Sequence, residues 1–247
     1  MFLDVFLGLF TGTLLGLLGG GGSIIAVPIL VYVIGLQAKT AIGTSLVIVG
    51  LASFFAVLPH WRRNCVSLRI ALLFGASGAI GSYLGGVLAG GIPDQVQLIM
   101  FALVMALVGI LMLTAGKNNE ASRQQNSHQL SIVLAAGLGA GLLTGLLGVG
   151  GGFIIVPALM LVLGLPMKQA VGTSLLVIGM NSLVGATAYA SHISFTGSVL
   201  PFGIGTILSA PVAGHFAHYI EQGKLKVGFA LALLLLSAWM FIKQLIG

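Results

Sequence analysis

Gly16-Leu17-Leu18-Gly19-Gly20-Gly21-Gly22-Ser23-Ile24-Ile25-Ala26-Val27-Pro28 returns 129 residues later as Gly145-Leu146-Leu147-Gly148-Val149-Gly150-Gly151-Gly152-Phe153-Ile154-Ile155-Val156-Pro157. Each copy joins one apolar run to the next through a glycine cluster and then meets a proline. The match runs without a gap from Gly16–Gly50 onto Gly145–Gly179, with 20 of 35 positions identical. Its frame continues through Gly35-Leu36 and Gly164-Leu165, Lys39 and Lys168, and Gly43-Thr44-Ser45 and Gly172-Thr173-Ser174. It resumes at a spacing of 128 with Phe74-Gly75 on Phe202-Gly203 and Phe101-Ala102-Leu103 on Phe229-Ala230-Leu231. Repetition of this quality means two copies of one structural unit.

The solvent of that unit follows from composition. Of 247 residues, 58% are hydrophobic and 6% charged, whereas a soluble domain carries about a quarter charged residues. The 38 glycines would weaken helices in water, but in lipid they let helices approach closely. The chain therefore reads as an all-α integral membrane protein whose main partner is the lipid bilayer. Ten apolar segments can be marked, at 2–19, 23–36, 40–59, 67–91, 95–115, 129–147, 152–165, 169–190, 196–219 and 224–246. Most reach the ~20 residues a membrane helix needs. Segments 23–36 and 152–165 fall short, and each holds a proline, Pro28 and Pro157. The polar stretch between them divides the chain into an N-terminal repeat at 1–115, a linker at 116–128 and a C-terminal repeat at 129–247.

Five segments per repeat is an odd number, so the second copy enters the membrane from the opposite side, the inverted-repeat plan of many secondary transporters. Counting loops alternately, one face collects Arg62, Arg63, Arg69, Lys117, Arg123, Lys168, Lys224 and Lys226, and the other only Lys39 and Lys243. The positive-inside rule puts the first face in the cytoplasm and both termini outside. Met1-Phe2-Leu3-Asp4 lacks the basic start of a secretory signal, so the first segment is expected to be retained. The two short segments, with the helices before them, are either complete hairpins or re-entrant pairs. This leaves 8–10 transmembrane segments, with the proline-bearing arms favouring re-entry.

The candidate site lies at the glycine clusters. A helix start exposes unpaired N–H groups and a partial positive charge, and glycine lets a ligand reach that backbone. Gly19, Gly20, Gly21, Gly22 and Ser23, with Gly148, Gly150, Gly151 and Gly152, would thus bind an anion without a buried cation. Tight turns and close packing explain the same glycines more plainly. Thr44, Ser45, Thr173 and Ser174 would add hydroxyls to the anion, or bond back to their own helices. Lys39 and Lys168 read as entrance residues on opposite faces, or as snorkelling lysines. Pro28 and Pro157 read as the breaks that would let the short arms gate. His215 and His218 share a helical face and would carry protons, or simply mark a boundary. Asn181 is either a cavity residue or a packing hydrogen bond.

Other chemistry is excluded by what is missing. Neither glycine cluster ends in the Gly-Lys-Ser/Thr of a phosphate loop or fits a dinucleotide fingerprint. Cys65 is the single cysteine, so neither an intrachain disulfide nor a CxxC metal motif can form. No nucleic-acid partner is expected, because the net charge of +6 is scattered in loops, and no metal, cofactor or enzymatic activity, because only His215 and His218 hint at a nucleophile–base pair or metal ligands at depth. Asp4, Asp94, Glu120 and Glu221 all fall at segment ends or in loops, away from the mid-membrane positions that mark cation and proton paths.

The doubled frame Gly-Leu-Leu-Gly-x-Gly-Gly, Pro, Gly-Leu and Lys-x-Ala-[Ile/Val]-Gly-Thr-Ser resembles the TauE/SafE sulfite exporters, also called the sulfonate uptake permeases, over nearly the whole chain. That resemblance implies a bacterial inner-membrane transporter for sulfite or an organosulfonate. By motif it carries function to Gly19–Ser23, Gly148–Gly152 and the two Thr-Ser pairs. This chain departs from its own symmetry at Gly20/Val149 and Ser23/Gly152. An anion channel and a carrier of a non-sulfur organic anion are the alternatives, and the oligomeric state, homo-oligomers included, stays open.

Overall fold

The computed structural model describes residues 2–114, 130–147, 151–195, 197–217 and 219–246. Within them the protein is all helical. The first repeat holds α1 (Phe2–Leu18), α2 (Gly21–Pro28), α3 (Ala38–Arg62), α4 (Leu68–Ala89) and α5 (Asp94–Thr114). The second holds α6 (Leu130–Leu147), α7 (Gly152–Pro157), α8 (Met167–Ala188), α9 (Val199–Ala217) and α10 (Gln222–Ile246). Each helix falls on one of the ten apolar runs, with ends moved by a few residues. Seven are long and apolar enough to cross a membrane, and Phe2–Leu18, Gly21–Val33 and Gly152–Val162 are shorter. The linker 116–128 lies outside the described residues.

Proline sets the form of the two short arms. Pro28 and Pro157 have no N–H to return to the preceding turn, and each is followed by a single π turn, Ile29–Val33 and Ala158–Val162. The wider turn re-registers the hydrogen bonds: Ile34 N–H donates to Ile29 O and Leu163 N–H to Ala158 O. Gly35 and Gly164 then end both arms in the left-handed region, at φ +82° and +68°.

Glycine stripes weld the repeats together. Gly8, Gly12 and Gly16 of α1 lie against the backbone of Phe202, Thr206 and Ala210 of α9, so that a Cβ on any of them would strike a carbonyl oxygen. Gly137, Gly141 and Gly145 of α6 lie in the same way against Phe74, Gly78 and Ser82 of α4. Both sets advance together, so α1 runs parallel to α9 and α6 parallel to α4. At the centre α3 and α8 run antiparallel: Gly43 faces Tyr189, Gly50 faces Ser182 and Leu183, Gly179 faces Phe54, and Gly172 faces His60. Gly8, Gly12 and Gly16 on α9 correspond to Gly137, Gly141 and Gly145 on α4 when the two halves are exchanged, and Gly43 on Tyr189 and Gly50 on Leu183 correspond to Gly172 on His60 and Gly179 on Phe54. Without a hydrophobic force between helices in lipid, close backbone approach of this kind supplies the packing energy.

Candidate functional site

The two glycine clusters meet inside the bundle. Gly19 to Ser23 are all buried, as are Gly151 and Gly152. Gly20 touches Gly152 backbone to backbone, and a Cβ on Gly152 would lie 2.8 Å from Ile178 Cδ1 and 3.0 Å from Ser23 Oγ. Gly19 and Gly151 turn the chain at φ +70° and +65°, a region open to glycine without strain. Thus the tips the sequence placed in separate halves form one closed contact. Gly148 and Gly150 lie outside the described residues.

The hydroxyls divide into two roles. Ser174 Oγ donates to Val171 O at 2.8 Å and lies 3.5 Å from Gly19 O, beneath the first tip. Ser45 Oγ donates to Ile42 O at 2.9 Å, and Ser23 Oγ to Gly20 O at 2.7 Å. The threonines beside them serve loops of the opposite repeat. Thr44 Oγ1 accepts from Ser194 N–H at 3.1 Å and donates to Ser194 O at 3.2 Å, and Thr173 Oγ1 accepts from Ser67 N–H at 3.0 Å.

The broken helices end on caps that the motifs do not mark. The last carbonyls of a helix have no partner within it. His60 Nε2 lies 3.3 Å from Gly16 O in the last turn of α1. Tyr189 Oη, the counterpart position in the second repeat, donates to Gly145 O at 2.9 Å in the last turn of α6. Gln97 Nε2 adds bonds to Leu146 O and, at 3.1 Å, to the Tyr189 hydroxyl. Extending the repeat alignment past Gly50 and Gly179 would have paired His60 with Tyr189; their different side chains hid the equivalence.

Charge gathers at one end of this assembly. His60, Arg63, Cys65 and Lys168 line a pocket floored by Val171, Gly214 and Ala217, and Val171 packs on Gly19. Its volume of about 10 Å³ admits roughly one water. Arg63 has no carboxylate partner among the described residues: Nη1 is buried without a hydrogen bond, and Nη2 lies 3.4 Å from His215 Nε2. The guanidinium also sits 5.4 Å above the Tyr219 ring. His215 is thereby an exposed neighbour of Arg63 rather than part of the buried core, and His218 lies outside the described residues. Lys39, at the far end of α3, donates to Gly90 O at 3.0 Å, on the C-terminus of α4. Pro28 and Pro157 are buried within their arms, away from the tip contact.

A second polar group lies deeper. Asn181, Ser182 and Ser53 are 0% exposed, and their side-chain polar atoms have no hydrogen-bond partner among the described residues. An unmade hydrogen bond in the interior costs about 1–3 kcal/mol per group. Acidic groups are absent from this region: Asp4 and Asp94 sit in first helical turns, Glu221 is exposed between helices, and Glu120 falls in the undescribed linker. No group of three or more metal-ligating side chains occurs among the described residues.

Sequence comparison places this architecture among known proteins. A family model described as Sulfite exporter TauE/SafE matches residues 5–240. A probable membrane transporter protein of Xylella fastidiosa is 37% identical over 211 residues, covering 80% of each chain. The probable membrane transporter protein YdhB of Bacillus subtilis is 30% identical, covering 87% of this chain and 89% of its own. One from Haemophilus influenzae is 23% identical over 98% of both. No solved structure matches.

Proposed function

The chain belongs to the TauE/SafE sulfite exporter family of membrane transporters, and from that premise we propose that it is a secondary carrier of a small sulfur oxyanion or organosulfonate. It works in the bacterial inner membrane by alternating access, with both termini on the periplasmic side. The observation that carries this reading is the meeting of two broken helices, Gly20 on Gly152, at the buried centre. Broken backbone at membrane depth occurs where it is covered by protein or lines a path. Its N–H groups, with Ser23 and Ser174 beside them, offer an anion partial positive charge without a fixed cation to hold it.

Three further features support the reading. The antiparallel run of α3 and α8, with α1 parallel to α9 and α4 to α6, is what ten segments of alternating direction in an inverted five-plus-five repeat require. The basic pocket of Arg63 and Lys168 opens on the arginine-rich face and ends at Val171 and Gly19, which suits capture of an anion from the cytoplasm. The tips close on each other, which favours a carrier over an open pore. An anion leaving a negative-inside cell runs downhill by about 2.3 kcal/mol per charge per 100 mV, so export needs no coupling ion.

Counterflow of labelled sulfite in proteoliposomes, competed by sulfoacetate, taurine, sulfate, thiosulfate and chloride, tests the proposal. Saturable exchange blocked selectively by one sulfur anion is expected. Folded protein that moves none of them would overturn the substrate assignment, and current far above a carrier's turnover would replace the carrier with a channel.

A further inference from the structure

Two of the three side chains without partners are related by the repeat, and the third, Asn181, is the neighbour of one of them in sequence. Ser53 and Ser182 are the same position of the two repeats, 129 residues apart, on the helices that cross antiparallel at the centre. At that crossing Gly50 faces Ser182, its would-be Cβ 3.3 Å from the serine Cβ, and Gly179 faces Phe54. Gly50 also faces Leu183, and exchanging the halves maps Gly50 on Leu183 onto Gly179 on Phe54. The two-fold relating them therefore passes through the crossing near Leu51–Ala52 and Met180–Asn181. It also passes through the tip contact, where Gly20 meets Gly152 and Ser23 Oγ lies close by. Ser174, Ile178 and Ser182 follow one another at four-residue spacing along α8, and Ile178 is the residue that touches Gly152. One face of α8 thus runs from the tips to the crossing.

Asn181 precedes Ser182 on α8 and turns toward α4. Its side-chain amide lies against Gly78 of α4, where a Cβ would sit 3.0 Å from Oδ1. The nearby hydroxyl of Ser82 donates to the Asn181 backbone carbonyl at 3.0 Å and leaves the amide unused. Fully buried polar atoms without partners are rare in native proteins and call for an explanation, of which a functional role is one. In a carrier that presents one site to each face in turn, that site belongs on the two-fold, equally far from both.

Resting on the carrier reading above, we infer that Asn181, Ser53 and Ser182 form a hydrogen-bonding site for the transported anion at the α3–α8 crossing. The set offers the Asn181 amide N–H groups and two hydroxyls as donors, and Asn181 Oδ1 as an acceptor. A ligand that satisfies all of it has several acceptor oxygens and at least one hydrogen to donate. The site therefore selects a hydrogen-bearing oxyanion, such as hydrogensulfite, over a bare dianion such as sulfate. Reaching it requires the tips and the α4–α8 contact at Gly78 to part.

The test compares Ser53→Ala/Ser182→Ala and Asn181→Leu with the unaltered protein, by sulfite counterflow and by thermal unfolding in detergent. Removing polar groups that have no partner leaves Tm unchanged or raised. Removing ligand donors raises the half-saturation concentration tenfold or more. A fall in Tm of the serine double variant, whatever its flux, means the hydroxyls are bonded for folding and overturns the inference. Unchanged half-saturation in both variants also overturns it, while active unaltered protein keeps the carrier reading. Should Asn181→Leu fail to fold, the serine pair, which loses only two oxygens, decides alone. No sulfite flux from the folded, unaltered protein overturns the substrate assignment of the reading above, and this site with it.

Discussion

Gly20→Ala would place a methyl group where the Gly152 backbone passes. The added Cβ would sit 2.8 Å from Gly152 Cα and nearer still to its carbonyl, where ordinary contact needs 3.4–4 Å. Both sides are main chain, so no side chain can swing aside, and the tips must separate by at least the difference between 2.8 and 3.4 Å. Overfilling a packed interior costs about 1–3 kcal/mol. That cost falls on the tip-closed conformation and spares any conformation in which the tips are apart. It reduces the closed population roughly 5- to 150-fold relative to open ones. If the tips must close once per cycle, counterflow per folded molecule falls by a comparable factor. Gly139→Ala is the control: Gly139 is an exposed helical glycine with nothing within 4 Å of a Cβ, and alanine there should stabilise by about 0.5–1 kcal/mol. The assay is the initial rate of counterflow at matched protein, with Tm measured in parallel. Wild-type flux in Gly20→Ala, at a Tm no lower than that of Gly139→Ala, would refute closure of the tips as a transport step.

Tyr189→Phe removes the donor on Gly145 O and the partner of Gln97; leaving the carbonyl unpaired should cost about 1–3 kcal/mol, read as a lowered Tm in detergent. A Tm equal to wild type would mean that Gln97 alone caps α6. Arg63→Gln should lower anion capture from the arginine-rich face severalfold, measured as flux in vesicles of sorted orientation. Lys39→Gln, by contrast, should leave flux from both faces near normal because its ammonium is held by Gly90 O; the reverse ranking would reassign the entrance.

Much of the scaffold was legible because membrane helices are long apolar runs, and the repeat exposed both short arms through Pro28 and Pro157. The π turns after them were not, since a missing N–H predicts a break without specifying how the ladder resumes. Thr44 and Thr173 show why motif reading stops short of a site. They stand beside Ser45 and Ser174 in the sequence, yet their hydroxyls hold Ser194 and Ser67, loops of the opposite repeat that no local pattern brings near. Lys39 and Lys168 match in the alignment, yet nothing local in the sequence announces that the first reaches the C-terminus of α4 or that the second lines a pocket with His60 and Arg63. Ser53 and Ser182 were within reach of the repeat alignment; only their burial without partners distinguishes them from ordinary helix serines.

The departures from symmetry fall on the parts that would have to exchange roles. Under the proposed rocking, the α1 end capped by His60 and the α6 end capped by Tyr189 and Gln97 take each other's place relative to the membrane. Were the caps identical, inward- and outward-facing states would differ only through the membrane field. They are not: an imidazole at 3.3 Å serves one carbonyl, and a phenol supported by an amide serves its counterpart. Arg63 and Lys168 line a pocket together with His60, which sets the surroundings of that cap apart from the hydrogen-bonded pair of Tyr189 and Gln97. Gly20 against Val149 and Ser23 against Gly152 add the same inequality at the tips. A duplicated scaffold supplies two states of similar energy, and these few unlike pairs are where a preference for one face over the other can be written without disturbing the helices that hold it.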